Sequence, residues 1–124
     1  MTAYEEGLSV CRRLTAREPA NVAWLSKLAR AYHRVGVVHE RRGELALARA
    51  AFDETLAIDR RAVEQAPGDS EHQMNLAQAN YDVARVRAAE GQRAEARERF
   101  SEALAIDRRL VAQDPSNARW RASL

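Results

Sequence analysis

The chain has 124 residues, of which 46% are hydrophobic and 31% charged, with 5 glycines, 3 prolines and 1 cysteine. That length supports one unit with a modest core, and a composition rich in Ala and Leu but poor in Gly and Pro predicts an all-α fold rather than sheet or disorder. A net charge of +2, a single Cys11 and the absence of any long uncharged apolar run argue against a polybasic tail, an internal disulfide and a membrane span, and the first residues lack the pattern of a secretory signal.

Residues 2–17 come first, and they align with the later part of a helix that recurs downstream, Tyr4 and Leu8 lying 48 residues before Phe52 and Leu56. Pro19, Pro67 and Pro115 then mark equal intervals of 48 residues. Two positions after each proline stands a residue able to cap a following helix, Asn21, Asp69 and Asn117, whose side chain can accept a hydrogen bond from a first-turn N–H. A first helix is predicted over Ala23 to Arg41. Gly43 follows, suited to the left-handed turn that closes helices, and a second helix is predicted over Glu44 to Gln65. The pattern then repeats as Ser70 to Glu90, Gly91, and Gln92 to Gln113. Between Gly43–Pro67 and Gly91–Pro115, 15 of 25 aligned positions are identical.

The unit is therefore a helical hairpin, and the chain divides into a partial repeat (1–18), two full repeats (19–66 and 67–114) and a second partial repeat (115–124). Trp24, Leu28, Val35 and Val38 share a broad side of the first helix, as do Leu45, Ala48, Phe52, Leu56 and Val63 of the second. Small residues recur in register at Ala29/Ala77, Ala31/Ala79 and Ala48/Ala96, with Gly36 aligned to Ala84. A mid-helix glycine costs about 1 kcal/mol relative to alanine, so Gly36 points to a close approach of neighbouring groups. The pairs Arg49/Asp53, Arg60/Glu64 and Glu95/Arg99 are four apart and are expected to meet on helix surfaces.

Trp24, Leu28, Ala29, Tyr32, Gly43, Ala48, Phe52 and Pro67 together resemble the tetratricopeptide repeat. The second copy carries Leu76, Ala77, Gly91, Ala96, Phe100, Ala103 and Pro115, with His72 and Asn80 replacing the aromatic and the tyrosine. The common repeat has about 34 residues. The excess here falls as about seven residues, or two helical turns, in each helix. Leu104 to Leu110 and Asp114 to Trp120 are similar to the motifs of a long-helix variant of that family. The resemblance implies a right-handed stack of hairpins whose first helices line a groove for a peptide or helix of a partner protein. Carried over by alignment, the groove positions are Ser26, Arg30, His33, Arg34, Val37 and Arg41, then Met74, Gln78, Tyr81, Asp82 and Arg85. Arg30, Arg34 and Arg41 point to a partner of acidic character, with Met74 and Tyr81 offering apolar contact. Lys27 and Asn75 do not complete the carboxylate clamp of some family members.

No catalytic, metal-binding or cofactor motif is present: His33 and His39 are six apart and do not share a helix face, and no HExxH, paired CxxC, GxSxG or phosphate loop occurs. Arg12/Arg13, Arg60/Arg61 and Arg108/Arg109 recur at the repeat interval, the last two pairs beside Asp59 and Asp107. That reads as a salt-bridge ladder between hairpins rather than a nucleic-acid surface, which would need nearby stacking aromatics. The expectation is a noncatalytic, cytoplasmic protein-binding module. The competing expectation is a spacer or self-association module, joined through apolar repeat ends near Trp120 and Leu124.

Overall fold

The computed structural model describes residues 22–113, which form four helices: α1 (Val22–Arg41), α2 (Leu45–Gln65), α3 (Ser70–Ala89) and α4 (Arg93–Gln113). The predicted boundaries hold to within a residue, and no strand occurs among the described residues. None of the described helices is long and apolar enough to cross a membrane. The two partial repeats, with Cys11, Asn117, Trp120 and Leu124, lie outside the described residues, as does Asn21 at the start of the first full repeat.

Each hairpin turn is made as its glycine requires. Gly43 and Gly91 have φ of 77° and 82°, the left-handed region that a Cβ disfavours. In the first turn Gly43 N donates to Glu40 O and Glu44 N to His39 O. In the second, Gly91 N donates to Ala88 O and Gln92 N to Arg87 O. Both are the paired bonds of a Schellman motif, which satisfy carbonyls that the helix end leaves open. Asp69 caps α3 by accepting from the backbone N–H of Glu71 and His72, as its place after Pro67 predicts.

Packing runs in chain order, α1 against α2, α2 against α3 and α3 against α4. Leu25, Leu28, Ala29 and Tyr32 meet Ile58 inside the first hairpin. Ala77 meets Ile106 and Leu110 inside the second. Ala48, Phe52 and Leu56 of α2 pack with Ala79, Val83 and Val86 of α3 and so join the two hairpins. Leu25, fully buried, is the center of the α1 face; Trp24 and Val38 are only half-buried, so the true stripe is rotated from the one the sequence pattern suggests. At Gly36, a Cβ would stand 2.6 Å from Phe52 Cε1. The expected close approach is thus an aromatic ring laid on bare backbone.

Ion pairs fasten one hairpin to the next. Arg49 pairs with Glu90 at 2.9 Å, Arg87 with Asp53 at 3.2 Å, Arg60 with Glu102 at 3.0 Å and Arg85 with Glu40 at 2.7 Å. Two expectations are corrected here. Arg49/Asp53 and Arg60/Glu64 do not pair along their helix, because each arginine has a carboxylate across the hairpin junction; of the three proposed pairs only Glu95/Arg99 forms, at 3.6 Å. Of the expected ladder, Arg60 does reach the next hairpin, but its acid is Glu102 and not the adjacent Asp59, which lines the groove.

Candidate functional site

The first helices α1 and α3 both rest on α2 without packing closely on each other, which leaves a groove between them. Its cavity of about 190 Å³ is lined by Ser26, Ala29, Arg30 and His33 of α1, Thr55 and Asp59 of α2, and Asn75, Gln78, Ala79 and Asp82 of α3. The small Ala29 and Ala79 come from the repeat-matched core, and they leave the polar neighbours room to reach inward. Asp59 and Asp82 are buried and form the floor; Arg30, Asn75 and Gln78 are exposed and form the rim.

Asp82 organises the α3 side. Its Oδ1 accepts from Gln78 Nε2 at 3.2 Å and faces Arg85 Nη1 at 3.0 Å. Its Oδ2 lies 3.3 Å from His33 Nε2, yet is a buried oxygen with no aligned hydrogen-bond donor. The approach is therefore a charge contact across the groove rather than a well-directed hydrogen bond. Contact with this carboxylate raises the His33 pKa above 6.5, against burial, which lowers it. The imidazole also tilts against the Phe52 ring, 5.8 Å between centroids.

Thr55 and Asp59 make the floor from α2. The Thr55 hydroxyl donates to Ala51 O at 3.1 Å and lies 3.4 Å from Ala29 O, so its single proton is committed to backbone. Asp59 is 5% exposed and receives no hydrogen bond and no ion pair among the described residues. Burial pushes its carboxyl up to about 7, with the charge of His33 pulling the other way. A carboxylate removed from water without a donor favours its neutral form in this way.

The repeat supplies an internal comparison. Asp107 stands 48 residues after Asp59 and Tyr81 stands 48 after His33. In the second hairpin the Tyr81 hydroxyl donates to Asp107 Oδ2 at 2.9 Å. That tyrosine is raised to about 12 by burial and by its carboxylate neighbour. In the first hairpin the histidine turns to Asp82 instead, and Asp59 has no hydrogen-bond donor among the described residues.

The groove positions taken from alignment separate into three groups. Ser26, Arg30, His33, Gln78 and Asp82 line the cavity. Arg34 and Arg41 are exposed on α1 beyond it, and with Arg30 they form no ion pair among the described residues. The remainder are engaged in the scaffold. Met74 packs on Ala77, Ile106 and Leu110, Val37 packs on the junction cluster, and Tyr81 turns into its own hairpin. Arg85 donates Nε and Nη2 to the two Glu40 oxygens at 2.7 and 2.8 Å, which raises its pKa despite burial. It is a strut from α3 to α1.

Alignment did not place Thr55 or Asp59 in the groove, and it brought in Asn75 only as a position of the incomplete carboxylate clamp. The signal available for Asp59 was its recurrence as Asp107, 26 residues after a position that is His33 in one copy and Tyr81 in the other. Among the described residues no group of three or more His, Cys, Asp or Glu could hold a metal ion; His39 contacts Glu44 at 3.2 Å, apart from the groove. Chemically, the site offers acceptors at its floor and mixed donors at its rim. No family model, curated protein or solved structure matches the chain.

Proposed function

We propose that the chain is a noncatalytic protein-interaction module of tetratricopeptide type, holding a peptide or helix of a partner in the groove between α1 and α3. The observation that carries this reading is how the two copies differ. Several buried positions are identical in the two repeats, as at Ala29/Ala77, Ala48/Ala96 and Ile58/Ile106, while the exposed rim of the groove changes, as at Lys27/Asn75 and Arg30/Gln78. A surface released from the packing rule, concave and polar, is where a repeat scaffold carries recognition. Arg30 and Arg34 lie one turn apart and suit acidic groups of the partner. A cytoplasmic setting belongs to the same reading and is supported by the lone Cys11. The test compares proteins captured from native lysate by the wild type and by Arg30→Glu/Arg34→Glu at equal helical content. Loss of specific proteins supports groove binding; an unchanged set contradicts it.

One observation favours a second reading, self-association through repeat ends. Phe52 is fully buried beneath α3, whereas Phe100, its counterpart in the next repeat, is 42% exposed. An aromatic at a stacking position attracts another hairpin. Light scattering across micromolar concentrations decides this: a mass that rises with concentration and is monomeric in Phe100→Glu supports stacking, and a strict monomer opposes it.

A further inference from the structure

We infer that the cavity at Asp59 receives a cationic side chain, the ammonium of a lysine or the guanidinium of an arginine, from the partner peptide. The inference rests on the groove reading above and names what enters the groove's deepest part. The floor holds acceptors that the donors present do not saturate. Asp59 has neither hydrogen bond nor ion pair among the described residues, Asp82 Oδ2 has no aligned donor, and the Thr55 proton is already given to backbone. An ammonium brings three donors and a guanidinium five, neither with any acceptor, and buried carboxylates form their strongest hydrogen bonds with such groups. The alkyl stem of either side chain fits a cavity able to hold several waters, while Ala29 and Ala79 supply apolar wall against it.

The second hairpin indicates what Asp59 lacks. There the protein supplies the missing donor itself, through Tyr81 to Asp107 at 2.9 Å. In the first hairpin His33 is drawn 3.3 Å from Asp82 instead, and the donor for Asp59 must come from outside. A base seated on Asp59 favours its ionised form, so binding releases a proton. The charged groups facing the cavity are Arg30 and His33 on α1 and Asp82, with its partner Arg85, on α3. Protonation of His33 as pH falls adds positive charge and acts in the same direction as protonation of Asp59: both weaken binding of a base.

The experiment selects binders from a display library of random peptides on the intact wild-type chain, with Asp59→Asn and His33→Tyr selected in parallel and checked for equal helicity. The expected result is a lysine or arginine fixed at one position of the wild-type binders and absent from both variant selections. In a selected peptide, replacing that base by norleucine or citrulline lowers wild-type affinity by at least about tenfold and changes Asp59→Asn affinity less than about twofold. Wild-type affinity also falls toward about tenfold per pH unit below about 7. Binders without a fixed base, or a base equally required by Asp59→Asn, overturn this inference and leave the groove reading standing. A wild-type selection that enriches nothing overturns both.

Discussion

Replacing Asp59 with asparagine changes the dependence of stability on pH. The folded carboxyl titrates at about 7 against 3.8 for the free group, so between those values the folded chain holds a proton that the unfolded chain has released. A raised carboxyl pKa favours the folded state at low pH, and that contribution is lost as pH rises from about 4 to about 7. About three units at about 1.4 kcal/mol each give roughly 4 kcal/mol. With a urea slope of about 2 kcal/mol/M for a domain of this size, the midpoint falls by about 2 M between pH 4 and pH 8. Raised values at His33, Asp53 and Asp107 act in the same sense, while Glu102, lowered by Arg60 and Asn80 against burial, opposes them. These groups remain in Asp59→Asn, so the difference between the two urea profiles isolates Asp59 apart from its coupling to His33. The account expects the variant to be the more stable at pH 8 and to approach the wild type near pH 4. Parallel profiles for the two proteins would refute the reasoning.

Gly36→Ala gains about 1 kcal/mol in helix propensity but sets a methyl 2.6 Å from the Phe52 ring, an overpacking of about 1–3 kcal/mol or more; urea unfolding should show net destabilisation, relieved in the double variant with Phe52→Leu. Phe52→Ala should cost about 3–5 kcal/mol, and Phe100→Ala, at the matching but 42% exposed position, less than about half as much; equal losses by calorimetry would contradict the assigned burial. Glu40→Gln with Arg85→Met in a double-mutant cycle should give a coupling of about 1 kcal/mol, since the pair is bidentate but half-exposed, and it should shrink in high salt.

The parts of the fold legible in the sequence were those written in backbone chemistry. Gly43, Gly91 and Asp69 announce their turns and cap because few residue types satisfy such positions, and the period of 48 residues carried that reading from one copy to the next. Gly36 announced a close contact, but identifying Phe52 as the contacting ring required the hairpin to be folded. Charged side chains were harder to place. Arg49 and Arg60 have helical neighbours at the right spacing, yet both reach carboxylates across the junction, which no count along one helix reveals. Asp59 was read with Arg60 because they are adjacent in sequence, although successive helical residues point about 100° apart. Arg85 and Met74 matched groove positions by alignment while serving the scaffold, because alignment fixes a position on a helix and not the partner its side chain chooses.

The central claim is that the face between α1 and α3 engages a partner. A photo-crosslinking amino acid placed at Arg30 or Gln78, on the groove rim, and at Ala57 or Ala105, exposed on the second helices, tests this most directly in intact cells. The account predicts one common set of crosslinked proteins from the two groove positions and none of that set from the outer pair. Crosslinks that are equally frequent at all four positions, or confined to Ala57 and Ala105, would contradict it.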